Sequence, residues 1–169
     1  MKDKDSISKR ITSILFLTYF IVLTWIILFK MSFTLTDLPH LRGVNLIPFA
    51  QSVIVNGKMD VTEIVQNMIA FIPFGVYMCM MREKAGFFGK VAPAACVSLI
   101  YEILQFVFAI GATDITDLIA NTLGGIAGCF IYTVFLKVLG KKTNKVLNIL
   151  AGIGTVGIVV FLGIIIAVN

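Results

Sequence analysis

The sequence predicts an all-α integral membrane protein in which five transmembrane helices form one bundle. Of its 169 residues, 59% are hydrophobic and only 14% are charged, whereas soluble domains are about half apolar and about a quarter charged. The mean hydropathy is +1.00. Because a spanning helix needs about 20 apolar residues, the length admits five spans, and residues 1–169 are predicted to form a single membrane domain.

Long uncharged runs, separated by polar or basic segments, mark the predicted spans. A signal peptide is the alternative for the first run, but this run is longer than a usual signal-peptide core and no small-x-small cleavage site follows it. We therefore predict an uncleaved first helix. The predicted spans cover about residues 11–29, 61–81, 91–110, 117–139 and 147–168.

The connection between the first two spans is long and too apolar for a freely solvated loop. It includes Pro39, His40 and the phrase Asn45-Leu-Ile-Pro-Phe49. Non-helical backbone is tolerated at membrane depth where protein covers it. We predict that this segment is interfacial or re-entrant.

The basic residues predict the orientation, because cytoplasmic loops carry an excess of lysine and arginine. The loops on the two sides of the membrane form two sets, and one set holds only three basic residues, Lys30, Arg42 and Lys58. We predict a cytoplasmic N-terminus and an extracytoplasmic C-terminus, and the same asymmetry explains the net charge of +5 without a nucleic acid partner. The cytoplasmic set comprises Lys2, Lys4, Lys9, Arg10, Arg82, Lys84, Lys90, Lys137, Lys141, Lys142 and Lys145.

Carboxylates and amides inside apolar runs are the main indication of a functional site. Glu102 and Gln105 lie three residues apart in the third span and share a helix face. Asp114, Asp117 and Asn121 follow at steps of three and four and share another face. A charged side chain at membrane depth costs about 2.5–3.5 kcal/mol on insertion scales and usually faces the bundle interior.

The predicted orientation brings these groups to the outer end of the bundle. Glu102 lies roughly 12 Å from the outer end of its span at a rise of 1.5 Å per residue. The second and fourth spans both run inward, so their polar residues also lie near the outer boundary. We predict an outward-facing acidic and amide pocket, with ligand-binding residues Asn45, Asn67, Glu102, Gln105, Asp114, Asp117 and Asn121.

Structural roles are the alternatives for the same residues. Asp114 fits the N-cap of the fourth helix, with Asp117 in its first turn. Asn67, Gln105 and Asn121 fit hydrogen bonds between membrane helices. Both interpretations stay open at the level of sequence.

Small residues and cysteines indicate packing rather than chemistry. The Gly124–Gly128 spacing lets another helix approach closely and provides a surface for a homo-oligomer. Cys79, Cys96 and Cys129 fall within apolar runs at no metal-binding spacing, so we expect free thiols. No cofactor and no metal site are predicted, although Mg²⁺ or Ca²⁺ at the carboxylate cluster is an alternative supported weakly by the oxygen ligands.

Four phrases follow one another between residues 45 and 128. They are Asn45-Leu-Ile-Pro-Phe49, Asn67-Met-Ile-Ala-Phe-Ile-Pro-Phe-Gly75, Glu102-x-x-Gln105-Phe106 and Asp114-Ile-Thr-Asp117-x-x-x-Asn121-Thr-Leu-Gly-Gly-x-x-Gly128. Together, in this order, they resemble the VanZ-like membrane protein family over a core of residues 45–128. In many relatives an arginine stands three residues before the first aspartate of the turn, where this chain has Gly111. The resemblance implies a multi-pass protein of the bacterial cytoplasmic membrane, and the family's namesake is associated with low-level resistance to teicoplanin-type glycopeptide antibiotics.

Three functions fit these observations. The first is a cell-envelope protein that contacts membrane lipids and binds an amphiphile, such as a lipid-linked cell-wall precursor or a lipoglycopeptide. The second is an intramembrane enzyme with Glu102, Asp114 and Asp117 as catalytic acid–base candidates. The third is a small transporter. Binding is favoured over catalysis because the sequence shows no clearly activated serine, cysteine or lysine nucleophile.

Overall fold

The structure, a computed structural model, describes residues 2–29, 41–49, 54–55, 58–59 and 61–168. Helices dominate this part of the chain and coincide with the predicted spans to within a few residues at most ends. The first helix extends further, into the polar N-terminal segment. The helices are α1 (Lys2–Phe29), α2 (Thr62–Met81), α3 (Phe87–Phe108), α4 (Ile115–Leu139) and α5 (Thr143–Val168).

Within the described residues, four helical segments are long and apolar enough to cross a membrane: Ser6–Leu28, Thr62–Met81, Phe87–Phe108 and Ile115–Phe161. The last contains α4 and most of α5, which a 3-10 turn at Gly140–Lys142 joins. The predicted helical architecture, with helices suited to cross a membrane, is therefore confirmed, whereas the five separate crossings and the orientation of the termini stay predictions.

The chain turns back between α4 and α5. The hydroxyl of Tyr132 donates a hydrogen bond of 3.2 Å to Oδ1 of Asn144. These residues would lie roughly 18 Å apart on a continuous straight helix. Gly140 makes the reversal with a φ of 53°, a backbone conformation that glycine adopts without steric cost.

Two short strand pairs interrupt the helical architecture, so the all-α prediction was incomplete. Strand β1 (Leu41–Asn45) pairs in parallel with β4 (Ile110–Asp114), with Leu41 opposite Ile110 and Asn45 opposite Asp114. Strands β2 (Ile54–Val55) and β3 (Lys58–Met59) form an antiparallel pair. Part of the predicted interfacial segment is thus a strand, while its remainder, including Pro39 and His40, lies outside the described residues.

Glycines hold α2 directly against α4. A Cβ atom added at Gly124 would overlap the carbonyl oxygen of Met68, and one at Gly128 would overlap that of Ile72. The predicted close helix approach is confirmed, and the neighbour is α2 of the same chain. A homo-oligomer stays a prediction, and a contact through these glycines would require α2 to move away.

An aromatic core joins α1 to α2 and α3. The Tyr19 hydroxyl donates to the backbone oxygen of Ala70 at 2.6 Å, and the hydroxyls of Thr24 and Tyr101 lie 2.8 Å apart. The three cysteines are free, as predicted. The buried residues of this core are Leu23, Ile27, Phe71, Phe74, Met78, Ala94 and Tyr101.

Candidate functional site

Strand β4 folds back along the last turns of α3. Thr113 Oγ1 donates to the backbone oxygen of Glu102 at 3.0 Å, and the Asp114 N–H donates to Glu102 Oε2 at 2.8 Å. A Cβ atom at Gly111 would lie 3.6 Å from Cδ of Gln105. The strand therefore retraces α3 inward, and Asp114 lies level with Glu102, six residues or about 9 Å before the end of α3.

Asp114 joins three elements through its side chain and backbone. Its Oδ1 accepts the Thr116 N–H at 2.7 Å, which caps α4, and its Oδ2 accepts from Asn45 Nδ2 at 3.0 Å. The capping role is confirmed, and such a cap contributes about 1 kcal/mol. Asp114 thus ties α3, α4 and β1 together.

Asn45 ends β1 and redirects the chain. Its Oδ1 accepts the Ile47 N–H at 3.2 Å, the pattern of an Asx turn. Two residues later, the Phe49 N–H donates to Thr116 Oγ1 at 3.0 Å. Residues 45–49 are therefore fixed to the first turn of α4.

Gln105 connects α3 to the end of α1. Its Nε2 donates to the backbone oxygen of Ile27 at 3.0 Å. Ile27 lies in the last turn of α1, where carbonyl groups lack a donor within the helix. The side chain is only 3% exposed, and its buried Oε1 has no hydrogen-bond partner among the described residues. The Ile27 carbonyl can only accept, so this contact fixes which end of the amide is unpaired.

Asn121 has a second unpaired amide group, deeper in the bundle at the level of Ser98, about two helical turns from Gln105 along α3. Its Nδ2 donates to Ser98 Oγ at 2.8 Å, while its buried Oδ1 has no partner in the part of the chain that the structure describes. If the amide is turned over, Oδ1 accepts from the Ser98 hydroxyl and the NH₂ group becomes the unpaired one. Asn121, which is 1% exposed, keeps an unpaired polar atom in either orientation.

Hydrogen bonds join three of the seven predicted site residues, Asn45, Glu102 and Asp114. Gln105 and Asn121 are buried on α3 and α4, and their hydrogen bonds go to Ile27 and Ser98. Asn67 on α2 and Asp117 in the first turn of α4 are half-buried. The five buried residues, Asn45, Glu102, Gln105, Asp114 and Asn121, are here called the polar junction.

Sequence reasoning missed Ser98, Thr113 and Thr116. Thr116 and Ser98 are fully buried. Thr116 Oγ1 accepts the Phe49 N–H, and Ser98 Oγ accepts from Asn121 Nδ2. Ser98 was detectable, because it lies four residues before Glu102 and therefore on the same face of α3. The roles of Thr113 and Thr116 depend on the pairing of β1 with β4, and the sequence around the two threonines shows no pattern that predicts this pairing.

The carboxylate oxygens of the junction accept protein N–H groups. Glu102 Oε2 and both oxygens of Asp114 are engaged in this way. Within the described ranges, no group of three or more His, Cys, Asp or Glu side chains could hold a metal ion. The arrangement suits a hydrogen-bonded polar site.

The strand register places a basic residue at the level of Gly111. Arg42 of β1 stands opposite Gly111 of β4.

Comparisons with known proteins agree with the resemblance. Residues 16–136 match the sequence model of the family described as VanZ/LLP1. The chain is 38% identical over 137 residues to Protein VanZ of Enterococcus faecium, which covers 80% of this chain and 81% of that protein. No solved structure matches the chain. The matched region runs from α1 to α4 and contains the whole polar junction, and on these two matches the chain belongs to the VanZ/LLP1 family.

Proposed function

We propose that this protein is a multi-pass protein of the bacterial cytoplasmic membrane whose polar junction binds the head group of an amphiphile from the outer leaflet. The ligand class is a lipid-linked cell-wall precursor or a lipoglycopeptide of the teicoplanin type. In this proposal the chain crosses the membrane five times, with its N-terminus in the cytoplasm.

The dimensions of the C-terminal half support five crossings. The 47 residues of Ile115–Phe161 would extend about 70 Å as one helix, more than twice the ~30 Å hydrocarbon core of a bilayer. The reversal at Gly140–Lys142 lets α4 and α5 cross separately. The basic residues at this reversal favour the cytoplasmic side, which puts the junction at the outer side.

The two unpaired amide groups are the observation that carries the proposal. A buried polar atom without a partner costs about 1–3 kcal/mol, and such atoms in native proteins call for an explanation such as a bound ligand or water. Gln105 Oε1 is an acceptor and therefore fits an N–H donor of a ligand. The neighbouring Glu102 and Asp114 carboxyl groups favour ammonium or amide head groups over a bare phosphate.

The chemistry of the ligand class follows from these acceptors. A lipid-linked cell-wall precursor carries peptide amides close to a membrane anchor, and a lipoglycopeptide carries peptide amides and an acyl chain. The resemblance to a family whose namesake is associated with low-level teicoplanin-type resistance supports the second ligand. Resistance conferred by this chain is part of the proposal.

The hydrogen bonds favour binding over acid–base catalysis. Both oxygens of Asp114 hold neighbouring segments in place, so protonation of this carboxyl group would disrupt the site that the reaction needs. The glycine contacts that hold α2 against α4 favour a fixed bundle over the moving halves of a transporter.

The test compares ligand-induced stabilisation in lipid nanodiscs. We expect an acylated glycopeptide or a lipid-linked precursor to raise the unfolding temperature of the wild type, because a ligand at 100 times its Kd adds about 2.7 kcal/mol. The same glycopeptide without its acyl chain should have a smaller effect.

Two variants and one control make the test specific. Gln105→Leu and Asn121→Val remove the amide groups with small changes in volume and should abolish the shift. Ile103→Leu, at an exposed position of the same helix, should keep it. The proposal is overturned if no amphiphile stabilises the wild type, or if both variants keep the full shift.

A further inference from the structure

Residues 46–49, here called the apolar tip, expose hydrophobic side chains directly beside the polar junction. Leu46 is 69% exposed, Ile47 68% and Phe49 50%, and Pro48 is also exposed. The whole stretch from Gly43 to Phe49 contains no charged residue. A contiguous exposed apolar surface of this kind indicates contact with a partner or a membrane.

The tip lies at a level where the neighbouring helices expose apolar side chains. Strand β1 runs parallel to β4, and β4 retraces α3 inward as far as Glu102. After Asn45 the tip continues along the first turn of α4, where Phe49 meets Thr116. The tip is therefore deeper than the end of α3, whose last turn exposes Phe106, Val107 and Phe108.

Two backbone N–H groups of the tip have partners within the protein. Unpaired backbone groups are too costly in hydrocarbon for an irregular segment to face it without internal partners. Here the Ile47 N–H binds Asn45 Oδ1 and the Phe49 N–H binds Thr116 Oγ1. Pro48 has no N–H group. These three consecutive residues therefore present no unpaired donor.

The conformation of Phe49 is strained and held in place. Its φ is 63°, in the left-handed region that bulky residues rarely adopt. A strained backbone conformation persists where contacts with the surrounding structure hold it, and such residues cluster at functional sites. The hydrogen bond to Thr116 holds this strained backbone while the ring is half exposed.

We propose that the apolar tip inserts among the acyl chains of the outer leaflet and forms a lateral wall beside the polar junction. An amphiphile then reaches the junction from the bilayer, with its head-group donors at the amides and its acyl chain against Leu46, Ile47 and Phe49. The path of the amphiphile to the junction rests on the proposed function, whereas the insertion of the tip into the bilayer does not depend on it.

Tryptophan fluorescence tests the insertion. Trp25 is the only tryptophan, so Trp25→Phe provides a silent background for single-tryptophan variants. Phe49→Trp reports on the tip, Ile69→Trp on the exposed face of α2, and Lys142→Trp on the exposed turn between α4 and α5. The folded state of each variant is verified by circular dichroism in the same vesicles.

The variants are reconstituted in phosphatidylcholine vesicles with or without dibrominated acyl chains. We expect the Phe49→Trp emission to be blue-shifted and to lose at least half of its intensity to the brominated chains, like Ile69→Trp. Lys142→Trp should instead be quenched by aqueous acrylamide. The inference is overturned if Phe49→Trp behaves like Lys142→Trp.

Ligand binding separates this inference from the proposed function. In the nanodisc assay, Ile47→Ser should weaken binding of an acylated glycopeptide about tenfold, while Leu99→Ser, at an exposed position elsewhere on α3, should not. If brominated lipid quenches the Phe49→Trp emission but no amphiphile binds, the proposed function is wrong and the insertion of the tip stands. If amphiphiles bind while the tryptophan at position 49 is in water, the lateral wall is wrong and the proposed function stands.

Discussion

Asp114 is the residue at which the separate segments of the site meet. It receives the Asn45 side chain and the Thr116 N–H on its carboxylate, and it donates its own N–H to Glu102. The same side chain therefore serves as a helix cap and as a bridge between elements. A capping role and a place in the site do not exclude each other here.

Asp114→Ala should lower the free energy of unfolding by about 2–4 kcal/mol. The loss of the cap costs about 0.5–2 kcal/mol, and the buried Asn45 amide left without its acceptor adds about 1–3 kcal/mol. Denaturant or thermal unfolding in detergent measures the change. Combination with Asn45→Ala provides the control, because the double variant should cost less than the sum of the single ones. Unchanged stability of Asp114→Ala would contradict the bridging role.

The unpaired amides make a contrasting case at the same scale. Gln105 satisfies a carbonyl of α1 and Asn121 binds Ser98, but each keeps one buried atom without a partner. An amide retained for stability alone would be expected to pair fully. The residue scale thus distinguishes Asp114, whose two carboxylate oxygens accept hydrogen bonds, from Gln105 and Asn121, which each keep one buried polar atom with no partner in the described part of the chain.

At the scale of elements, two contacts position the junction. The parallel pairing of β1 with β4 brings Asn45 to Asp114, and the close contact of α2 with α4 fixes the bundle beneath it. The helix contact depends on the absence of side chains at Gly124 and Gly128. The glycines of α5 are different, since a Cβ at Gly152, Gly154 or Gly157 meets nothing within 4 Å.

Gly128→Ala should therefore destabilise the bundle, whereas Gly154→Ala should not. A methyl group at position 128 collides with the backbone of α2, and overpacking of this kind costs about 1–3 kcal/mol. At position 154 the alanine gains up to about 1 kcal/mol of helix propensity. Thermal unfolding of the two variants in the same detergent measures both effects. Equal stability of the two would show that α2 yields to the methyl group at no cost.

At the scale of the whole molecule, the junction depends on segments far apart in the sequence. Asn45 and Asp114 are separated by 69 positions and Gln105 and Ile27 by 78, yet both contacts lie at one end of the bundle. The opposite end holds the contacts of Asn144 with Glu83 and of Asn148 with Thr12. The bundle thus has a carboxylate-rich end and a basic end.

Cysteine labelling should confirm that the carboxylate-rich end faces outward. In a background with serine at Cys79, Cys96 and Cys129, Val61→Cys should react with a membrane-impermeant maleimide in intact cells. Lys142→Cys should react only after permeabilisation, because loops rich in lysine and arginine stay in the cytoplasm. The reverse pattern would invert the orientation and place the junction at the cytoplasmic side.

The sequence by itself determined the parts that depend on local physical properties. Hydropathy located the helices, because the preference of each apolar run for lipid does not depend on its neighbours. Helical periodicity placed Glu102 and Gln105 on one face and Asp114 and Asn121 on another, and the spacing at the start of α4 identified the cap. The family followed from the same residues.

Only the tertiary structure decided which of these residues meet. The pairing of β1 with β4, the binding of Phe49 to Thr116 and the contact of Gly124 with α2 all join residues more than 50 positions apart. Each depends on a register between segments, and a register is set by how whole elements pack rather than by the preference of any one residue. For this reason the sequence predicted a polar site, while the structure showed which of its groups are hydrogen-bonded and which have no partner within the described ranges.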